Sequence, residues 1–473
     1  MKSALVCNDI HSKLNATKVA EILFPQDEAD VVAAITRAKA QGKPISICGG
    51  RHAMGGQQFG GETILLDMTE LDFIRQVDRS RGCVEAGSGV KWPALVSSLH
   101  GSQHGEATIW TIRQKQTGAD NLTLGGALAS NIHGRGLHMT PIIGDVESFR
   151  IIGADGIPRK CSRSENTDLF RLAIGGYGCF GIITSVILRL TPRTKLRRIV
   201  EVTTLDLLPG AIRDRMANGC IYGDFQFSID EESPDFLWRG VLSSYRPAAG
   251  DPMIPESQES LGAARWEKLV AMAHNDRRNI FGVYSSYYLS THGNLYWSDT
   301  HQLSIYIDDY HAKLDLESNP PCPASEMITE LYVPHAELVP FMKEAAALLR
   351  SRAMPVIYGT MRLIRRDDES FLAWAKQDYA CVIFNLHTEH SSQGIALASD
   401  TFRALIDLSV SRGGSYFLTY HRWAERKQIE SAYPNFGEFL HEKVRHDPSQ
   451  IFQSEWWRHH RDMFGIAHGI TPR

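Results

Sequence analysis

The chain has 473 residues, of which 43% are hydrophobic and 22% charged, with 39 glycines and 20 prolines. At roughly 150 residues per domain this is two large domains or three ordinary ones, and the composition excludes collagen-like, coiled-coil and mostly disordered chains. Lys and Arg total 50 against 54 Asp and Glu, a net charge of -4, so no excess of positive charge draws phosphate backbones and nucleic acid is not an expected partner.

The eight cysteines are scattered, the nearest pair being Cys161 and Cys179, which removes CxxC redox motifs and zinc knuckles and leaves no disulfide framework. The opening MKSALVCNDIHSKLN lacks the apolar run of a secretory leader, and no stretch approaches the length of a membrane span. A cytoplasmic protein without a membrane span is expected.

Residues 27–41 (DEADVVAAITRAKAQ) place Val31, Ile35 and Ala38 at helical spacing, with Asp27 as N-cap, Asp30 completing a box-like start and Gly42 as the stop. Residues 44–48 alternate like a short strand, 49–61 (GGRHAMGGQQFGG) form a loop, and 63–67 are the next strand. Residues 83–86 read as a strand and 93–99 as a short helix opened by proline. Residues 117–136 (TGADNLTLGGALASNIHGRG) make a glycine-rich bend around a small-residue helical turn. Residues 168–173 are helical, 175–181 (GGYGCFG) form a turn, and 182–190 are an apolar, β-branched strand closed by Thr191 and Pro192. Residues 1–198 are thereby assigned to one α+β domain.

Beyond residue 200 the glycine loops thin out and aromatics come in runs, at 222–229, 284–288, 330–333 and 382–387. Residues 199–410 are assigned to a second domain, in which 250–261 and 318–325 read as exposed loops. Residues 411–473 turn helix-rich and Arg/His-rich, either as a helical cap or as a return to the first domain.

Gly176, Gly178 and Gly181 match GxGxxG, but here the motif follows a helix and opens a strand, the reverse of a dinucleotide-binding fingerprint. The loop at 49–61 can close backbone N–H groups around a phosphate without Cβ obstruction, or be an ordinary long turn. Arg51 and His52 at its centre favour the first reading, because a merely flexible turn has no use for either. The run at 125–136 offers small residues that can lie against a flat aromatic ligand, with Ser130, Asn131 and His133 as polar handles; a packed small-residue helix is the alternative. Two such loops in one domain suit an extended, diphosphate-linked cofactor better than a single phosphate ester.

Together these segments resemble the FAD-binding domain of the vanillyl-alcohol oxidase / p-cresol methylhydroxylase superfamily. PQDEADVVAAITRAKAQGKPISICGGRHAMGG is similar to its entry helix, strand and first pyrophosphate loop, LTLGGALASNIHGRG to its second loop, and GGYGCFGIITSVILRLTP to the turn and strand bordering the adenine. SNIHG and the terminal YPNF and HDPSQIFQSEWWRHH are most similar to the decaprenylphosphoryl-ribose oxidase and aldonolactone/alditol oxidase branches. The resemblance implies an α+β, two-domain PCMH-type fold, whose second, substrate domain is a mainly antiparallel sheet flanked by helices and whose last segment completes the flavin site.

It further implies that FAD is bound by Gly49, Gly50, Arg51, His52, Ala53, Met54, Gly55 and Gln57 from the first loop. The second loop contributes Gly118, Ala119, Leu122, Gly125, Gly126, Ala129, Asn131, Ile132, His133 and Gly134, and the third turn Gly178, Gly181 and Ile182. His52 stands where many members carry a histidine joined to the flavin 8α-methyl carbon, so a covalent link is expected. With no cysteine in the second loop, the bicovalent variant is not. No metal site is expected.

The implied reaction is hydride transfer from a CH–OH carbon of a sugar, polyol, lactone or similar small molecule to flavin N5, with a base taking the hydroxyl proton. Glu330 occupies the family's substrate-side glutamate strand and Arg362 its arginine-bearing strand. Tyr420 replaces a lysine of the decaprenylphosphoryl-ribose branch, and His421 is the neighbour that can supply the missing polar group. Asn385, His387 and Tyr416 are assigned to the substrate pocket. Ile132 stands where a bulky residue hinders oxygen in related oxidases and leans towards another acceptor, whereas a histidyl link leans towards oxygen, so the acceptor stays open. The alternatives are oxidation of a C–N bond, as in cytokinin-dehydrogenase-like members, and a flavin-binding protein without turnover.

Overall fold

The computed structural model describes residues 5–304, 314 and 322–467. Strands β1 (Leu5–Cys7) and β2 (Thr17–Val19) pair antiparallel ahead of β3 (Glu21–Leu23), α1 (Glu28–Gln41), β4 (Ile45–Cys48) and β5 (Ile64–Asp67). Helix α1 forms as its caps dictate: Asp27 accepts the Asp30 N–H at 2.9 Å, and Gly42 ends the helix in the left-handed region at φ 61°. Its apolar stripe of Val31, Ala34, Ile35 and Ala38 is buried against a parallel sheet of order β3-β5-β4. All four residues of the central strand β5 are buried, as a covered parallel sheet requires.

Next come β6 (Cys83–Gly87), α2 (Trp92–Ser102), β7 (Trp110–Thr111), α3 (Leu124–Ser130), β8 (Val146–Ile152), β9 (Pro158–Ser162), α4 (Thr167–Ala173), β10 (Ile182–Arg189) and β11 (Thr191–Pro192). They build an antiparallel sheet of order β6-β10-β8-β9, with β7 and β11 as a separate pair. The turn between α4 and β10 depends on Gly181, at φ 146°, where a Cβ would lie 2.6 Å from the Ile152 carbonyl oxygen.

The second half holds β12 (Lys195–Thr204), α5 (Leu208–Ala217), β13 (Tyr222–Phe227), β14 (Arg239–Pro247), α6 (Ala263–Asn275), α7 (Arg277–Ser290), β15 (Leu295–Trp297), β16 (Ala324–Pro334), β17 (Val356–Ile364), β18 (Tyr379–Glu389) and β19 (Ser415–Tyr416). Its strands form one antiparallel sheet of order β15-β12-β14-β13-β17-β18-β16-β19. Because side chains alternate along a strand, one face carries Leu331, Val333, Val382, Phe384 and Leu386 into a core shared with Phe341 and Phe402 of the helices Leu338–Ser351 and Ser392–Val410. The other face looks towards the first domain and carries polar residues.

Residues 318–321 of the expected loop lie outside the described residues. Ala324 and Ser325 at its end are instead the buried first residues of β16, because they pair with Glu389 and Thr388. The run of tyrosines at 284–288 lies on helix α7, where Tyr284 and Tyr288 meet at helical spacing with ring centroids 4.3 Å apart. Strand β12 runs across residue 198 and β19 adds the chain after residue 410 to the same sheet, so both expected divisions fall inside or beside one continuous sheet. No helix among the described residues is long and apolar enough to cross a membrane.

The chain after β19 forms the helices Arg426–Ala432, Phe436–His446 and Glu455–Phe464 and returns to the first domain. The Ile45 N–H donates to the Ile451 carbonyl at 2.6 Å and the Gln453 N–H to the Ile45 carbonyl at 2.8 Å, so residues 451–453 extend the edge of β4. The turn before them is fixed by Asp447, which binds the fully buried Lys443 ammonium and accepts the N–H groups of Ile451 and Phe452, each at 2.9 Å. Replacing Asp447 by Ala strands a buried cation and two backbone donors, and should cost about 3–5 kcal/mol in chemical denaturation. Removing the exposed Lys18–Glu62 pair should cost less than about 1 kcal/mol.

Candidate functional site

A cavity of about 670 Å³ runs between the glycine loops of the first domain and the polar face of the large sheet. Two loops meet at its floor with no room for side chains: a Cβ on Gly49 would lie 2.1 Å from Thr123 Oγ1, and one on Gly50 2.2 Å from the Asn121 carbonyl oxygen. Gly49, Gly50, Arg51, His52, Ala53 and Gln57 line it, followed by Gly118, Ala119, Leu122, Gly125, Gly126, Ala129 and Ile132, with Gly178 and Gly181 at the far end. This long, bare cradle fits a flat ring system joined to a diphosphate.

Not every expected cofactor residue faces the cavity. Met54 joins the hydrophobic core, and Met54 and Gly55 donate their N–H groups to the Thr419 carbonyl at 3.2 and 3.0 Å. Gln57 adds bonds from Nε2 to the Leu418 and Thr419 carbonyls at 2.9 and 3.1 Å, so the first loop is clasped by the returning chain. Asn131 caps α3 at φ 48° and turns away, its Nδ2 bonding Asp367 Oδ2 at 2.8 Å and its Oδ1 accepting the Ile143 N–H at 3.2 Å. Gly134 and Ile182 also lie behind the lining residues. The Arg51 guanidinium is held by Asp67 at 2.7 Å.

His52 is buried, with Nδ1 2.9 Å from Nε2 of His11. Burial, then the neighbouring His11, pushes His52 down to about 3, and burial pushes His11 down to about 4, so both rings are neutral near pH 7. A neutral imidazole keeps the lone pair that addition to an electrophilic carbon requires. His11 escaped sequence reasoning because it stands outside any motif.

At the opposite end the side chains converge on Glu330, which is fully buried and does not reach the cavity wall. Its Oε1 meets His133 Nε2 and accepts the Tyr332 hydroxyl at 2.6 Å and the Cys381 thiol at 3.3 Å, while Oε2 accepts the Tyr420 hydroxyl at 3.3 Å. Burial pushes the Glu330 carboxyl up, but the charge and hydrogen bond of His133, the Tyr332 hydroxyl and the charge of Arg362 together outweigh it, and the net shift is downward. The other ring nitrogen of His133 faces the Gly134 carbonyl at 2.9 Å. Both nitrogens therefore face oxygen atoms, which fixes the orientation of the ring. His133, read from the sequence as a cofactor contact, is instead the partner of Glu330. What reaches the cavity is Tyr420, whose hydroxyl is held well above its ordinary range by burial and by the Glu330 charge.

Arg362 lines the same end, and its Nε and Nη1 are buried with no hydrogen-bond partner among the described residues. An orphaned guanidinium in a cavity calls for an acceptor or an anion from a bound group. Asn385 also lines the cavity. His421 and Tyr416 do not: His421 packs between Phe402 and Trp423, with burial pushing it down to about 3, and Tyr416 is fixed by Tyr433, whose hydroxyl donates to its carbonyl. His387 lies at the far end of the sheet beside His274.

Sequence reasoning missed a second polar corner. Arg135 bonds the His301 carbonyl and sits 4.9 Å from the Tyr245 ring centroid, and Arg198 lies 4.5 Å from that of Tyr288. Both arginines line the cavity with Asp224, Gln226, Tyr296 and Tyr358. Arg198 stands in the buried phase of β12 with Leu196 and Val200, and Arg135 in the loop that follows α3.

Residues 19–162 match the family described as FAD binding domain. The chain is 29% identical over 180 residues to decaprenylphosphoryl-beta-D-ribose oxidase of Mycolicibacterium smegmatis, covering 37% of this chain and 38% of that one. It is 29% identical over 251 residues to cytokinin dehydrogenase 9 of Oryza sativa subsp. japonica, covering 51% and 46%. A longer alignment, 22% identical over 445 residues and covering 92% and 95%, relates it to L-gulono-1,4-lactone dehydrogenase of Mycobacterium tuberculosis. The first two alignments span less than half of the relatives they match.

The neutral pair His11 and His52 sets a pH dependence of stability. Their folded-state values, about 4 and about 3, lie below the unfolded value, so their contribution is present above about pH 6.5 and lost as pH falls towards 4. Each proton taken up on unfolding weakens the fold by about 1.4 kcal/mol per pH unit in that window. Chemical denaturation at pH 7 and pH 5 should show a shallower loss in a His11→Asn, His52→Asn double variant than in the wild type.

Proposed function

We propose that this chain, whose residues 19–162 form an FAD-binding domain of the PCMH type within the vanillyl-alcohol oxidase / p-cresol methylhydroxylase superfamily, oxidises a CH–OH group of a small hydroxylated substrate. Bound in the glycine cradle, FAD supplies the two-electron acceptor for the hydride that leaves the substrate carbon. The observation that carries the reading is the chain of side chains Tyr420, Glu330 and His133 ending at the cavity wall beside Arg362.

In this reading Tyr420 takes the hydroxyl proton of the substrate at Oη while passing its own proton to Oε2 of Glu330. A carboxylate is a weak base, but the hydroxyl becomes strongly acidic as hydride departs, so a weak base is enough. His133 holds the carboxylate in place and in its charged form until the proton arrives. Arg362 supplies its unpaired N–H groups to developing negative charge at the ring or the substrate oxygen. Ile132, on the cavity wall, restricts access of oxygen, with a different electron acceptor favoured. His52, held neutral against His11, is the attachment point for a covalent flavin.

Four arginines, Arg51, Arg135, Arg198 and Arg362, and Lys13 line the cavity against two acids, Asp224 and Glu326. Their field opposes a protonated amine and favours an uncharged or anionic alcohol over C–N oxidation. Anaerobic bleaching of the flavin by polyols, sugar acids or lactones, but not by amines, is the expected result; no bleaching by any of them would return the chain to a flavin binder without turnover.

Tyr420→Phe should slow anaerobic flavin reduction by about 100-fold with flavin content unchanged, whereas His421→Phe, outside the cavity, should change it less than about 3-fold. Acid precipitation should leave flavin with the wild-type pellet and release it from His52→Ala. Release from both would reduce His52 to a noncovalent contact.

A further inference from the structure

We infer that His274, Glu326 and His387 form a binding site for a divalent transition-metal ion of the zinc class, at the end of the substrate cavity remote from Glu330. The three residues come from rigid elements. Glu326 and His387 are direct cross-strand partners on β16 and β18, and His274 is in the last turn of α6, which packs over that end of the sheet. One donor atom from each lies within 4.8 Å of the others, and His274 Nε2 is 3.0 Å from Glu326 Oε1. In a tetrahedral site with bonds of about 2.0–2.2 Å, neighbouring donors stand roughly 3.3 Å apart. One pair already has this spacing, and side-chain rotation of His387, whose ring stands at 79° to that of His274, brings in the third.

The chemistry of the set selects the ion. Two imidazoles and one carboxylate suit zinc, cobalt or ferrous iron, and do not suit magnesium or calcium, which take oxygen ligands. The side chains of His274 and Glu326 are 9% and 8% exposed. A dication entering here displaces the proton between His274 and Glu326 to solvent, and the site gains one positive charge, which an anionic group at the open position can offset. The second cluster of this kind, His133, Glu330 and Cys381, is occupied differently. There the carboxylate already accepts two tyrosine hydroxyls and a thiol.

Three protein ligands leave a coordination position open, and its direction is set by the cavity. Glu326 lines it together with Ala273, Ser325 and Ile328, so the free position faces the substrate. Glu326 lies four residues along β16 from Glu330, roughly 13 Å at the rise of an extended strand. The ion is thus placed to hold a carboxylate, phosphate or diol at the far end of a substrate whose reacting carbon sits near Tyr420. Metal binding itself does not depend on the proposed oxidation and is read separately from it.

The test uses the flavin-loaded full chain, stripped with a chelator and titrated with Zn²⁺ or Co²⁺. The expected result is one equivalent per chain, with cobalt absorption bands of a four- or five-coordinate nitrogen and oxygen site and no thiolate charge-transfer band. His274→Asn, Glu326→Gln and His387→Asn should each weaken binding by more than about 100-fold, whereas His441→Asn, on an exposed helix face, should bind like wild type. If a variant does not fold, the wild-type titration decides alone. Binding of less than a tenth of an equivalent, a thiolate band, or equal binding by all folded variants overturns the site and leaves a hydrogen-bonded ion pair.

Discussion

A carboxylate withdrawn completely from water is tolerated only where donors surround it. Glu330 meets this condition with groups from distant parts of the chain: His133 from the second glycine loop, Tyr332 from its own strand, Cys381 from the neighbouring strand and Tyr420 from the returning chain. The carboxylate is therefore a fastener between the halves as well as a chemical group. Its satisfaction fixes where the second loop sits relative to the large sheet, and hence the depth of the cavity. Trp374, whose indole N–H donates to the Asn131 carbonyl at 3.0 Å and whose ring stacks on Tyr332, backs the same junction with apolar surface.

Local elements were legible where the physics is local. The caps and stripe of α1, the strand after it, and the strand opened by Gly181 all follow from neighbouring residues, and each stands within a residue or two of its expected bounds. The glycine loops were legible because absence of side chains is itself a pattern. The aromatic run in α7 was assigned to no element for the opposite reason: tyrosines suit strands and helices alike, and only packing against α6 and the sheet decides.

Within the site, phase was the obstacle. Tyr420 and His421 are adjacent and opposite in fate, one on the cavity wall and the other packed against Phe402 and Trp423. They lie in irregular chain, where neither a period of two nor of 3.6 says which side chain points inward. The same holds for Asn131 and His133, next to a helix end in the left-handed region. Their partners, Asp367 and Glu330, come from another domain, and nothing in the loop announces them. The arginines at 135 and 198 were invisible for a related reason, since a buried guanidinium over tyrosine rings is a feature of packing, not of sequence pattern.

The seam formed by residues 418–453 has a bearing on how the molecule comes to exist. Thr419 holds the first glycine loop, and residues 451–453 complete the edge of β4, so the cofactor cradle contains pieces made early and late in synthesis. A ribosome that has released only the first domain has exposed a parallel sheet with a bare edge and an unclasped loop. Such long-range closure is slow, because loop entropy must be overcome before the contacts reward it. The early segment must therefore wait, partly structured, for residues 418–453, and closure of the cradle follows their synthesis.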